Sequence, residues 1–171
     1  MSLEDDIKQW DGKSKSDISD VYLRYSSADD FLNELLKIAT HVPCSEGATW
    51  LIKHALEQKA ELNDDQIYWF CELIKGALPW QSILHILQIL PFIIVPKEHM
   101  HEMMVFVRDN TEHENKFVRA WAYNGLYEIA TTYDEYRDGL VVVLETAEGT
   151  EPPAVKARIR NIKKAITKNW S

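Results

Sequence analysis

The residues of this chain that could do metal chemistry are a glutamate and a histidine in a Glu-x-x-His pair. Glu98 and His101 are three residues apart, a spacing that places both side chains on one face of a helix, as in the di-iron sites of helical bundles. Such a site needs a second Glu-x-x-His and two more glutamates, and the sequence has no second copy. We therefore expect Glu98, His99 and His101 to lie on a helix surface and to bind no metal.

Two further groups have the chemistry of catalytic residues. Cys44 follows Pro43 at a predicted helix start, where a thiolate is stabilised, and His41 lies three residues before it. The sequence shows no third catalytic member and no oxyanion donors. His85, within ILHILQIL, is expected to be buried with one ring nitrogen bonded to a backbone carbonyl. Phosphate-loop, GxSxG, HExxH and CxxC motifs are also missing, and we expect a non-catalytic protein without a cofactor.

An amphipathic stripe is the best candidate for binding a partner. Arg119, Tyr123 and Tyr127 follow one another at intervals of four residues, and Arg and Tyr are enriched at binding hot spots. The alternative is packing against the next helices. The candidate partner-binding residues are Arg119, Tyr123, Tyr127, Trp121, Lys156 and Arg160.

Charge is distributed unevenly along the chain. The net charge is −8, yet residues 154–171 contain six Lys or Arg and no acid, which leaves −14 for residues 1–153. The acidic bulk repels nucleic acid and anionic membranes, so we expect a protein or peptide partner, and an acidic groove favours a basic one. The basic segment is either a solvated helix or a surface for an acidic partner, for the chain's own acidic surface or for RNA.

Other sequence features concern compartment and assembly. No run of about 18 apolar residues could span a membrane, and the acidic start MSLEDDIKQWDG has no apolar core typical of a secretory signal. Two cysteines, Cys44 and Cys71, fit a reducing compartment. We expect a cytoplasmic protein, and the sequence leaves its oligomeric state open.

Apolar residues recur at helical spacing through most of the chain, in pairs of helices. The pairs cover about 29–57, 64–91, 97–131 and 134–168. The run LVVVL at 140–144 falls within a helical frame and is predicted to be a buried helix, and PFIIVP at 91–96 to be an extended, buried connector. Equivalent positions of the second helices are apolar in all four pairs: Ala48, Ile83, Val118 and Val155, and four residues later Ile52, Leu87, Ala122 and Ile159.

The third and fourth pairs resemble the HEAT-repeat family. In residues 101–130 a first helix ends in Asp109 and Asn110, a polar break follows, and the second helix opens with Val118–Arg119. The fourth pair repeats this with Val155 and Lys156. A tetratricopeptide array, with a 34-residue period, is the alternative. The resemblance implies an all-α chain, a short right-handed α–α superhelix of about four HEAT-like helical pairs. It also implies a structural role for Arg119, bonded to an aspartate of a neighbouring first helix, Asp109 or Asp138.

The resemblance also implies a function. Stacked helical pairs form a concave groove, and such scaffolds bind a protein or peptide in it. The alternative is an enzyme on HEAT-like repeats, similar to alkyl-purine DNA glycosylases or to bilin-chromophore lyases. For domain organisation we predict a flexible N-terminal arm over residues 1–15 and a single HEAT-like domain over residues 16–171.

Overall fold

The computed structural model describes residues 1–170, which form helices joined by loops and contain no β-strand. The predicted all-α class is therefore confirmed. No helix among these residues is both long and apolar enough to cross a bilayer. The α-helices are α1 Leu3–Gln9, α2 Lys15–Tyr25, α3 Phe31–Ile38, α4 Val42–Glu57, α5 Asp64–Glu72, α6 Trp80–Ile89, α7 Met100–Asn110, α8 Lys116–Thr132, α9 Arg137–Thr150 and α10 Pro153–Asn169, and short 3-10 turns cover Leu73–Lys75, Leu90–Phe92, Lys97–His99 and Asp134–Tyr136.

The chain divides into two compact units rather than the single domain expected over residues 16–171. Unit 1 comprises Met1–Ile93, and unit 2 begins at Ile94. Each unit contains two of the predicted helical pairs: α3–α4 and α5–α6 in unit 1, and α7–α8 and α9–α10 in unit 2. The boundary falls in the proline-bounded segment 91–96, where the prolines interrupt the helical structure.

Second helices of successive pairs pack together within each unit. In unit 1, α4 contacts both α3 and α6, and α3 contacts α5. In unit 2, α8 contacts α7, α9 and α10. The eight equivalent apolar positions named above are all buried except Ile83, which is half-buried. The repeated spacing therefore marks the residues that form the seam between neighbouring helices.

Helix starts follow from capping residues that satisfy otherwise unpaired N–H groups. The Asn63 side chain accepts from the Gln66 backbone, and the Gln66 side chain accepts from the Asn63 backbone, which is a capping box. Asn115 caps α8 by accepting from the backbone of Phe117 at 2.8 Å. These caps place the first turns of α5 and α8 directly after polar breaks.

The N-terminal residues form a helix where a flexible arm was expected. A Ser2–Asp5 capping box starts α1, and Leu3 and Ile7, four residues apart, are buried. Helix α1 packs against α2 and α4. It approaches α4 so closely that a Cβ at Gly47 would lie 2.8 Å from Cγ2 of Ile7. Burial of these two apolar side chains gives residues 3–9 a fixed place in unit 1.

Two predictions for apolar runs have different outcomes. The run at 140–144 is helical, inside α9, as predicted, but its three valines are exposed where a buried helix was predicted. Residues 91–96 were expected to be extended and buried, but Leu90–Phe92 is a 3-10 turn and only the following residues are extended. Phe92 and Ile94 are exposed, while Val95 is buried. The bounding prolines prevent a helix here but do not determine burial.

Candidate functional site

The centre of the candidate site is an ion pair between α8 and the turn that precedes α10. Nε of Arg119 lies 3.1 Å from Oε2 of Glu151, and both side chains are largely buried. Nη1 of Arg119 also donates to the backbone oxygens of His113 and Glu114, at 2.9 and 3.1 Å. Arg119 therefore joins the turn between α7 and α8 to the turn between α9 and α10.

The partner of Arg119 differs from the one expected. Asp109 and Asp138 were the predicted acids, and Glu151 takes that place. Since α8 packs against both α9 and α10, the first turn of α8 faces the end of α9 rather than its start. The sequence places Glu151 immediately before Pro152 and Pro153, and an acid close to a helix start is the one signal that could have identified it.

Tyr123 lies one turn beyond Arg119 and shares its acidic partner. Its hydroxyl donates to Oε1 of Glu151 at 3.3 Å. Burial, and then the negative charge of Glu151, raises the pKa of Tyr123 to about 12. The hydroxyl therefore stays protonated and acts as a hydrogen-bond donor over the whole physiological range.

A groove of about 740 Å³ lies beside this ion pair, entirely within unit 2. Its apolar wall comes from α9, where Val142 is 63% exposed and Val143 is 39% exposed. These valines were predicted to be buried within the helix 140–144, and that prediction is wrong for them. In a helix, however, Leu140 and Leu144 take the inward positions of LVVVL, and the residues between them must face outward. The polar residues on the rim of the groove include Arg108, Glu112 and Glu114.

Tyr127 lies in a separate aromatic cluster. Its ring stacks on that of Trp170 with centroids 5.6 Å apart, and its hydroxyl accepts from Asn169 at 3.1 Å. The Arg137 guanidinium lies 4.8 Å from the Trp170 ring centroid. Tyr123 and Tyr127 are both buried, so the predicted stripe of Arg119, Tyr123 and Tyr127 packs within unit 2.

The other three candidate residues lie on or against α10. Trp121 is half-buried, with the guanidinium of Arg158 4.2 Å from its ring centroid. Lys156 is half-buried and Arg160 is exposed. The structure therefore separates the six predicted residues into an ion-paired frame, an aromatic cluster and the surface of α10.

The surroundings of Cys44 do not activate its thiol. Cys44 is buried, and burial raises the pKa of its thiol. Nδ1 of His41 contacts Oε1 of Glu4 at 3.2 Å, so α1 supplies the partner of that histidine. A general base for Cys44 would have to lie within hydrogen-bond reach of its sulfur, and His41 is engaged with α1 instead.

His85 is buried between α4 and α6, as predicted. Its Nδ1 lies 2.9 Å from the hydroxyl of Thr49, and a backbone hydrogen bond to Glu46 is also present. Burial lowers the pKa of His85 to about 3. The imidazole is therefore neutral in the folded protein, and its Nδ1 shares a hydrogen bond with the Thr49 hydroxyl.

The Glu98–His101 pair lies at the start of the third helical pair. Lys97–His99 is a 3-10 turn and α7 begins only at Met100, so the two residues do not share one regular α-helix. Glu98 and His101 are exposed, as expected, but His99 is buried. Among residues 1–170, no three His, Cys, Asp or Glu side chains are grouped to hold a metal ion.

A second groove, of about 560 Å³, lies within unit 1 between α3 and α5. Its lining includes Leu36, Leu73 and Trp69, and Trp69 is 59% exposed. Asn33 accepts from the side-chain amide of Gln66 at 3.0 Å and so fixes the two helices beside it.

Comparisons with known proteins give no relative for this chain. No family model matches it, and it has no significant match among curated proteins or among solved structures. Any function must therefore be argued from the geometry and chemistry of the residues themselves.

Proposed function

We propose that this chain is a non-catalytic, HEAT-like scaffold that binds a protein or peptide partner in the groove of unit 2. Three features of unit 2 support the proposal: two successive helical pairs, a groove between their turns, and a hydrogen-bonded frame along that groove. The partner in this proposal is a short segment with an aliphatic side chain and neighbouring cations.

The packing of the helical pairs supports the HEAT-like part of the proposal. In both units the second helix of one pair packs on the second helix of the next, α4 on α6 and α8 on α10. The apolar residues at that seam recur at spacings of 35, 35 and 37 residues. One helical pair cannot bury its apolar face alone, and stacking on a neighbour solves that problem.

The observation that carries the binding proposal is the exposed apolar wall beside a fixed frame. Val142, one of the most exposed large apolar side chains at 63%, lines the groove. Arg119 holds the opposite turn by its bonds to His113 and Glu114. A groove that is already held in shape loses little conformational entropy on binding, which favours affinity.

The charge on the rim favours a basic segment. Because Arg119 and Glu151 neutralise one another, the remaining charged side chains of the lining are Arg108, Glu112 and Glu114. Two carboxylates outnumber one guanidinium, and Glu112 and Glu114 are exposed. A lysine or arginine beside the aliphatic residue would meet these carboxylates through charge complementarity.

The test selects binders from a displayed library of short random peptides. We expect enriched sequences to combine Leu, Ile or Val with Lys or Arg. Fluorescence polarisation measures the affinity of the selected peptides. Val142→Glu should weaken binding about tenfold or more, because it puts a charge on the apolar wall. The matched control is Val141→Glu, since Val141 is also exposed on α9 but does not line the groove.

Two outcomes would contradict the proposal. One is that no peptide is enriched above the level seen with the Val142→Glu variant. The other is that selected peptides bind the Val142→Glu and Val141→Glu variants with equal affinity, because binding would then take place away from the groove. Thermal unfolding followed by circular dichroism tests whether both variants are folded.

A further inference from the structure

A row of four cations runs along the surface of α10. Lys156, Arg160, Lys164 and Lys168 follow one another at intervals of four residues. All four fall within the continuous helix Pro153–Asn169. Arg160, Lys164 and Lys168 are exposed, and Lys156 is half-buried. We call these four residues the basic ridge.

The other two cations of α10 are engaged within unit 2. Lys163 forms an ion pair with Glu148, and Arg158 lies over the ring of Trp121. None of the four residues of the basic ridge forms an ion pair with another residue in the range 1–170. The hydrogen bond from Lys163, and with it the charges of Arg160 and Lys156, lower the pKa of the Glu148 carboxyl, so the first part of the ridge lies beside one acid. Arg160, Lys164 and Lys168 are exposed to solvent.

The four-residue interval of the ridge places its side chains in one oblique row along the surface of α10. Residues four apart on an α-helix are separated by about 6 Å along the axis, so four such residues extend over roughly 18 Å. Side chains at this interval form one of the ridges by which helices pack together. A second helix with carboxylates at the same interval can therefore pair with each cation in turn.

The charge of the rest of the chain restricts the partner. Residues 1–153 carry −14, which opposes the approach of a nucleic acid, whose charge extends far beyond a single helix. An acidic helix concentrates its negative charge on one narrow row and can contact the ridge alone. We propose that the basic ridge of α10 is a docking surface for an acidic α-helix of a partner protein.

This surface is separate from the groove proposed above. The groove is lined by residues 108–152, whereas the ridge begins at Lys156 and runs along α10. The two proposals also assign partner segments of opposite charge. Each can therefore fail without affecting the other, and the Val142→Glu variant should leave binding at the ridge unchanged.

The test uses a synthetic, fluorescein-labelled alanine-rich helical peptide as the probe. The aligned peptide carries glutamates at i, i+4, i+8 and i+12, which matches the interval of the ridge. The control peptide has the same composition and helicity with its glutamates distributed around the helix. At low salt we expect the aligned peptide to bind the full chain at least about tenfold more tightly, and added salt to weaken that binding.

Charge reversal on the protein provides the second half of the test. The double variant Arg160→Glu, Lys164→Glu should lose about tenfold or more of the affinity for the aligned peptide. Lys13→Glu, Lys15→Glu is the matched control, because it makes the same charge change at exposed residues of unit 1. Circular dichroism melting shows whether both double variants are folded.

Three results would overturn the proposal. The first is equal affinity for the aligned and the control peptide, which would mean that net charge alone is responsible. The second is equal loss of affinity in the two double variants. The third is tighter binding of labelled duplex DNA or single-stranded RNA than of the aligned peptide, which would identify the ridge as a contact for nucleic acid.

Discussion

Nε of Arg119 lies 3.1 Å from Oε2 of Glu151, and this ion pair connects residues 32 positions apart in the sequence. The same guanidinium donates to two backbone oxygens of the turn between α7 and α8. Three donor interactions of one side chain therefore tie the turns at the groove of unit 2 together.

Arg119→Ala should lower the free energy of unfolding by about 2 kcal/mol, because it leaves the largely buried Glu151 carboxylate without its cation. Urea unfolding followed by circular dichroism measures this change. Lys116→Ala, an exposed position on the same helix, is the control and should change stability by less than about 0.5 kcal/mol. Equal effects of the two substitutions would show that the ion pair contributes nothing.

Gly47→Ala should destabilise unit 1 by roughly 1–3 kcal/mol, because the added Cβ would lie 2.8 Å from Cγ2 of Ile7. Gly139→Ala in α9 is the control, since nothing lies within 4 Å of its added Cβ, and it should stabilise the protein by roughly 0.5–1 kcal/mol. Chemical denaturation measures both changes.

The same clash can be tested by its removal. In an Ile7→Ala background the Cγ2 atom is absent, so Gly47→Ala should have a much smaller destabilising effect than in the wild-type chain. Additive effects of the two substitutions would mean that α1 does not pack on α4 at Gly47.

His85 should make unit 1 less stable as the pH falls. Its folded pKa, about 3, is below the ordinary histidine value of 6.5, so between these values the unfolded chain binds a proton that the folded protein does not. The stability is fully present above about pH 6.5 and is lost progressively as the pH falls toward 3. Between about pH 7.5 and pH 5, His85 should account for a loss of about 2 kcal/mol.

His85→Gln provides the comparison, because a glutamine oxygen can accept from Thr49 and does not titrate. Two neighbours also affect the pKa of His85: the charge of Lys53 and a hydrogen bond to the backbone of Glu46. Both are present in the wild type and in the variant. The difference in unfolding free energy between wild type and variant, measured by urea titration at the two pH values, isolates the contribution of the histidine. Parallel pH profiles would mean that His85 is protonated equally in both states.

Trp170→Ala should lower the free energy of unfolding by about 1–2 kcal/mol. The substitution removes the stack on Tyr127 and the contact with the Arg137 guanidinium. Trp69→Ala is the matched control, because Trp69 is 59% exposed, and it should change stability by less than about 0.5 kcal/mol. Thermal and urea unfolding measure both, and a larger loss in Trp69→Ala would contradict the described packing.

Local sequence patterns predicted the helices and their buried faces, because these depend on residues that are close together in the sequence. Helical periodicity identified the four helical pairs, and it identified 140–144 as helical although the valines there favour strands. The equivalent apolar positions of the four second helices identified the residues buried between neighbouring helices, with Ile83 as the half-buried exception. Burial of His85 followed from the apolar residues on every side of its helix.

Patterns along the chain could not predict contacts between distant residues. The acid that pairs with Arg119 depends on which end of α9 faces the start of α8, and no spacing rule contains that information. The N-terminal residues are mostly polar, yet Leu3 and Ile7 are buried, and Ile7 packs closely against α4 at Gly47. The separation of Tyr123 from Tyr127 likewise depends on where Glu151 and Trp170 lie.

The sequence by itself determined the all-α class, the positions of the helical pairs and the side of each second helix that is buried. These properties follow from hydrogen bonds and apolar spacing within short segments. Only the tertiary structure decided the partners of Arg119, Tyr127 and His41. A side-chain partner is chosen among residues that packing brings within a few ångströms, and that choice depends on how whole helices are arranged.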